Sequence, residues 1–465
     1  MSEHDPRPTP SREGDPQQDS SESEPVDAPA EQPPRPGGEA PADESGETPE
    51  SPSRPGARRF KIWTPVLLLL VFLTVQTVRP LPSPALKLGA AMSSYTFGGQ
   101  FGIPWPEKGQ GAVHVQGVGN LGTFGEQKPV PIASVAKVMT AYVLLQEHPL
   151  KKDEPGPMIE VDAKAVKDGM SEDESRVEGL TAGMKFSQQD MLKMLMIPSG
   201  NNIARLLARW DAGSTDETGF VRKMNDAAKA LGMKDTTYTD PSGLDAKTVS
   251  TAVDQLKLAE AVMKFDAFRP IVAMPNAAID GLPEPIYNNN DNLLLADLSI
   301  KGIKTGSNTA AGGALMWAAY KTVGDKTLLV LGTMLDQRVE GPDRNGANSL
   351  VLVKDNSKKV IEAVRDALTS AVAVRKGQVV GHLDDGLGGL TPLVATEDLE
   401  VIGVPGQESE LRITGGGRTV PHRAKAGTEV GTLTAGSGPD SMGIPVALQE
   451  DLPEPSFMSK LTRLG

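Results

Sequence analysis

From Ser187 to Phe265 the chain repeatedly places apolar residues three and four positions apart. The segments are "SQQDMLKMLMI", "NNIARLLARW", "GFVRKMNDAAKALG" and "TAVDQLKLAEAVMKF". That spacing predicts helices with one buried face. Upstream, "AVHVQGVGNLGTF" (112–124) alternates apolar and polar positions around a Gly-Asn interruption, the mark of a hairpin. Residues 131–145, "PIASVAKVMTAYVLL", are apolar on most faces of a helix, which predicts a buried one. Alternation returns at "LSIKGIKTGS", "GALMWAAYK" and "TLLVLGTML", and a helix near "SKKVIEAVRDALTSAV" closes the unit. Helices packed on an antiparallel sheet follow from this order, an α+β unit over residues 93–372. From about Lys376 short apolar runs are broken by Gly, Pro and Asp, predicting a small all-β domain over 373–450. No internal repeat is present.

The N-terminal pattern is different in kind. Residues 1–57 are rich in Pro, Ser, Glu, Asp and Gly, and carry fourteen acidic residues against four Arg. Such a segment has too little apolar surface to offset its ordering entropy, and disorder is expected. Arg58 to Arg79 reads as a membrane-spanning signal anchor, with seventeen uncharged residues from Ile62 to Val78. Arg58, Arg59 and Lys61 precede the run and only Arg79 follows closely, so the N-terminus is expected in the cytoplasm and the remainder outside it. A cleaved signal peptide is the competing reading, and no clear small-residue cleavage site follows. Residues 80–92, "PLPSPALKLGAAM", read as a linker. At the other end, Phe457, Leu461 and Leu464 form an apolar stripe within 451–465, either an interfacial helix or a tail packed on the β domain.

Composition narrows the chemistry. The net charge of −13 in 465 residues resides mostly in the acidic tail, so the remainder is near neutral and offers no basic stripe for nucleic acid. With no cysteine there is no disulfide, thiolate zinc site or cysteine nucleophile, which in an extracytoplasmic chain suits a bacterial source. The five histidines, His4, His114, His148, His382 and His422, show no metal-ligand spacing. No cofactor is expected.

Against that background, Ser134 and Lys137 fall one turn apart on one face of the apolar helix. A lone buried ammonium is costly. In apolar surroundings near other cations a lysine loses pKa and can accept a proton, and no histidine is placed to do so. Taken alone, the pair is also compatible with Ser134 as an N-cap and Lys137 snorkelling to solvent. Two further signals follow in order. Ser199, Gly200 and Asn201 open a helix about sixty residues later, and Lys304, Thr305 and Gly306 end an alternating strand, a place where Lys304 is expected to be exposed.

The order S-x-x-K, S-x-N, K-T-G resembles the active-site serine penicillin-recognising enzymes. The flanking text "PIASVAKVMTAYVLL", "LKMLMIPSGNNIA", "YTDPSGLD" and "GIKTGSNTAAGG" is similar to the low-molecular-weight D-alanyl-D-alanine carboxypeptidases, over roughly residues 93–366. The resemblance implies the β-lactamase/transpeptidase-like fold. It implies Ser134 as nucleophile, Lys137 as general base, Ser199 as proton relay, and Asn201 as a holder of Lys137 and the substrate amide. Lys304 and Thr305 would bind the terminal carboxylate. The N–H groups of Ser134 and of Ser307, which follows Gly306, would form the oxyanion hole. Asn202 stands where many members carry Asp. The implied partners are the peptidoglycan stem peptide and, as covalent inhibitors, β-lactams. A β-lactamase, an endopeptidase or transpeptidase, and a non-catalytic wall-binding protein remain open.

Overall fold

In the computed structural model of the chain, residues 57–417, 419–436 and 441–462 are described, with side chains from Trp63 onward. The expectation of disorder over residues 1–57 lies outside them except at Ala57, which begins a helix. A helix runs from Ala57 to Val78 where the span was expected, and Leu67, Leu70 and Phe72 on it are exposed. Among the described residues, no helix is long and apolar enough to cross a membrane.

A five-stranded antiparallel sheet organises the central unit, in the order Ile300–Asn308, Gly312–Val323, Lys326–Gln337, Gln110–Val115, Gly119–Phe124. Period-two alternation gives it two apolar faces. Ala314, Met316 and Ala318 join the helical core, whereas Leu315, Trp317 and Ala319 join a second core with Val353, Val360 and Val364 of the helix Ala347–Ala367. The hairpin forms as expected, but its turn is Gln116–Val118, with Gly117 at φ +79°, and Gly119 and Asn120 belong to the second strand.

The helical block comprises Lys137–Glu147, Gln188–Met196, Asn201–Ala212, Thr218–Ala230 and Ala252–Val262. Its caps are chemical: Ser187 accepts from the Asp190 N–H and Thr251 from that of Asp254, each worth about 1 kcal/mol. The closing helix differs from expectation at both ends. It begins at Ala347 and stops at Ala367, because "TSAVAV" alternates and forms the strand Thr369–Val374, paired with Leu399–Gly403.

Behind this unit lies a seven-stranded sheet, in the order Ala85–Leu88, Val379–Asp384, Leu390–Ala395, Met442–Leu448, Glu429–Ala435, Glu408–Thr414, Ser94–Thr96. Both edge strands come from upstream of the central unit. The expected linker 80–92 is therefore corrected in part: Ala85–Leu88 pairs along Val379–Asp384, and Lys87 forms an ion pair with Asp384 at 2.7 Å. Ser94–Thr96, expected inside the catalytic domain, pairs with Glu408–Glu410. The tail forms the helix Phe457–Thr462, on which Phe457 remains 61% exposed; Leu464 lies outside the described residues.

Candidate active site

Ser134 does not cap a helix. It sits in the 3-10 turn Ala133–Ala136 that leads directly into Lys137–Glu147, and is half-buried. Ala133 before it has φ +46°, a left-handed conformation unusual for a residue with a Cβ. The loop "TDPSG" holds this turn. Thr140 Oγ1 donates to the Pro241 carbonyl at 2.6 Å, and a Cβ on Gly243 would lie 1.8 Å from the Ala133 carbonyl oxygen. The loop is itself folded on Asp240, whose carboxylate accepts from Ser242 Oγ, Leu244 N and Thr248 Oγ1.

Lys137 is fully buried rather than snorkelling. Its Nζ lies 2.9 Å from Ser134 Oγ, 2.6 Å from Asn201 Oδ1 and 2.8 Å from the Ser242 carbonyl oxygen. Burial pushes its pKa well below the usual lysine range. The charges of Lys304 and Arg205 push the same way, against Asp240 and Glu174. A neutral amine one hydrogen bond from a hydroxyl is a competent proton acceptor.

Ser199 and Asn201 come from the turn into Asn201–Ala212. Ser199, at φ +66°, is 1% exposed, and its Oγ has no hydrogen-bond partner among the described residues. Asn201 Nδ2 donates to Glu174 Oε2 at 3.0 Å. Arg205 Nη2 reaches the same oxygen at 2.8 Å, and Arg205 Nε reaches Asp168 at 3.1 Å. Asn202 points elsewhere: its Oδ1 accepts from Val177 N at 3.0 Å and its Nδ2 donates to Val177 O at 3.0 Å. An amide serves both groups, whereas a carboxylate there would accept only.

The K-T-G strand passes alongside the turn. A Cβ on Gly306 would lie 2.8 Å from the Ile132 carbonyl oxygen and 3.1 Å from Ser134 N, so glycine is what permits the approach. Lys304 is not the exposed strand-end lysine expected from the sequence. It lies in the middle of Ile300–Asn308, is 2% exposed, and donates to the Thr305 carbonyl at 3.1 Å. Burial lowers its pKa to about 7. Thr305 is buried beside it and Ser307 is half-buried.

Ser134, Lys137 and Asn201 are thus directly hydrogen-bonded, and Gly306 abuts the serine turn. Ser199 makes no bond to them. Sequence reading missed Glu174, Arg205 and the Ser242 carbonyl, none of which carries a motif of its own. It also missed Arg338, which holds the turn after the K-T-G strand by donating to Thr309 O at 3.1 Å and to Ala310 O. A cavity of about 700 Å³ opens nearby between Arg205, Arg222, Asn225, Asp240 and Leu244, but none of the motif residues lines it. Among the described residues, no group of His, Asp and Glu side chains is arranged to hold a metal ion.

Comparison with known proteins converges on one family. The peptidase S11 family, D-alanyl-D-alanine carboxypeptidase, matches residues 121–334, a stretch that contains every motif residue. The D-alanyl-D-alanine endopeptidase of Pseudomonas aeruginosa is 33% identical over 192 residues, 40% of this chain and 58% of that protein. The D-alanyl-D-alanine carboxypeptidase DacF of Bacillus subtilis is 23% identical over 342 residues, 71% of this chain and 82% of that protein. The chain spans a little over half the length of the first of these relatives. In fold it is similar to penicillin binding protein 5 from Haemophilus influenzae, with a TM-score of 0.51 at 18% identity, over 74% of this chain and 98% of that one. Residues 121–334, which carry every motif, are thus similar to the D-alanyl-D-alanine carboxypeptidase family, and the chain as a whole is similar in fold to a penicillin-binding protein.

Proposed function

We propose that the chain is a serine carboxypeptidase that removes the terminal D-Ala from peptidoglycan stem pentapeptides. The observation that carries this reading is the buried Lys137 amine, 2.9 Å from Ser134 Oγ. Ser134 Oγ attacks the carbonyl carbon of the penultimate D-Ala while Lys137 Nζ takes its proton. Negative charge then gathers on the carbonyl oxygen, facing the N–H groups of Ser134 and Ser307. Ser199, whose Oγ has no partner among the described residues, relays a proton to the departing amine of the terminal D-Ala, and the C–N bond breaks. An ester on Ser134 remains, and water cleaves it to regenerate the hydroxyl. Asn201 holds Lys137 and the substrate amide. Lys304 and Thr305 receive the terminal carboxylate; among the described residues the buried Lys304 ammonium has a carbonyl as its hydrogen-bond partner, and a carboxylate would complement its charge. A β-lactam would acylate the same serine and remain attached.

A second reading, endopeptidase cleavage of cross-linked stem peptides, is supported by the activity named for the Pseudomonas relative. The two are separated by offering the enzyme a pentapeptide and a cross-linked dimer, with and without penicillin. D-Ala release from the first, blocked by penicillin and absent in Ser134→Ala, is the expected result. Retained labelling of Ser134→Ala by a fluorescent penicillin would remove the nucleophile assignment.

Anchoring belongs to the same proposal: the 58–79 segment holds the enzyme in the cell membrane with residues 1–57 inside. The charge asymmetry of Arg58, Arg59 and Lys61 supports it. In intact protoplasts, added protease should spare an epitope at residue 20 and remove one at residue 440. The reverse pattern, or a mature chain starting after residue 90, refutes the anchor.

A further inference from the structure

A neutral primary amine has two N–H donors and one lone pair. Around Lys137 Nζ, the Ser242 carbonyl and Asn201 Oδ1 can only accept, so they take both donors. The lone pair is left for the Ser134 hydroxyl. Ser242 presents main chain and cannot be reversed. The Asn201 amide can, because its two ends are nearly equal in shape. Reversed, its NH₂ would donate to the lone pair and displace the serine proton.

What decides the orientation stands on the other side of the amide. Glu174 Oε2, 3.0 Å from Asn201 Nδ2, belongs to an ionised carboxylate and can only accept. Burial works against its charge, but the hydrogen bonds from Arg205 and Asn201 outweigh that and keep its pKa below the usual range. Its segment is fastened to the first two turns of Asn201–Ala212 at three further points. Arg205 binds Glu174, the Ser175 carbonyl accepts from Asn201 N at 2.8 Å, and Asn202 bonds both polar groups of the Val177 main chain. We infer that Glu174 is a positioning residue for the nucleophile: its carboxylate fixes the Asn201 amide with oxygen toward Lys137, which reserves the lysine lone pair for Ser134. The inference rests on the proposed role of Lys137 as base.

Glu174 also acts by charge. Burial, Lys304 and Arg205 disfavour the Lys137 ammonium, while Asp240 and Glu174 favour it. Removing the Glu174 charge therefore leaves the amine neutral down to lower pH. The test is the rate constant for acylation by a fluorescent penicillin, measured from pH 5 to 9 in the wild type, Glu174→Leu and Glu174→Gln, with folding checked by circular dichroism. In Glu174→Leu the plateau should fall roughly 10- to 100-fold, the scale of a misplaced reacting group, and the acidic limb should move to lower pH. Glu174→Gln keeps an acceptor oxygen but no charge; it should lose less at the plateau and show the same movement of the limb. Folded variants with unchanged rate constant and unchanged limb overturn the positioning role, since a merely structural residue alters the yield of folded enzyme and not the rate per site. A wild type that is not acylated at Ser134 overturns the functional reading itself, and the inference with it.

Discussion

Lys304 carries its charge where the fold disfavours it. Its pKa is lowered by burial from 10.5 to about 7, so between those values the folded chain binds fewer protons than the unfolded one, and stability rises with pH across that window. Replacing Lys304 by Met should therefore stabilise the protein, on the order of 1–3 kcal/mol at pH 7. The gain should fade toward pH 10, as thermal melts at the two pH values would report. The same substitution should cost activity. With a free-carboxylate peptide, kcat/KM should fall as pH rises through about 7, because the cation is lost. A peptide amidated at its C-terminus, poor at every pH, should lack that limb and lose little more in Lys304→Ala. Equal losses for both peptides would count against the carboxylate role. At this scale the sequence disclosed residue types and spacing: Ser134, Lys137, Ser199, Asn201 and Lys304 all declare themselves. Burial was legible for the apolar helix that carries Lys137 but not for Lys304, whose covering depends on segments remote in the chain. Nor was Glu174, whose 27-residue separation from Asn201 is bridged only through space.

Elements were read best where one apolar stripe meets one core. The Gln188–Met196, Thr218–Ala230 and Ala252–Val262 helices follow from i, i+3 and i+4 spacing, and the first and last also from their capping residues Ser187 and Thr251. The serine turn is different. Its 3-10 geometry and the left-handed Ala133 are not marked by local propensity, and the Gly243 backbone packs directly against the Ala133 carbonyl. That makes Gly243 a control point. It has φ +78°, and any Cβ would collide with the Ala133 carbonyl. Gly243→Ala should cost a few kcal/mol through strain and overlap. It should also slow penicillin acylation far more than a comparable substitution on the exposed face of Thr218–Ala230. A variant melting like the wild type and acylating at the same rate would mean the loop yields freely.

The whole molecule has a discontinuous β unit. Its sheet is bounded by Ala85–Leu88 on one side and Ser94–Thr96 on the other, and neither was foreseen, since three- and four-residue strands are too short to show alternation. A chain beginning at residue 80 keeps both edge strands and should not self-associate further, with an unchanged melt. One beginning at residue 98 would bare the outer edges of Val379–Asp384 and Glu408–Thr414 and should associate, as sedimentation would show. The arrangement also sets an order of events during synthesis. Lys87 and Asp384 are 297 positions apart, so the first strands made wait longest for their partners. The intervening unit, which holds the whole of the helical core and most of the second, can begin to fold while they wait. Refolding from denaturant should accordingly regain acylation by penicillin before the β unit gains protection from hydrogen exchange, since contacts of such sequence separation close slowly.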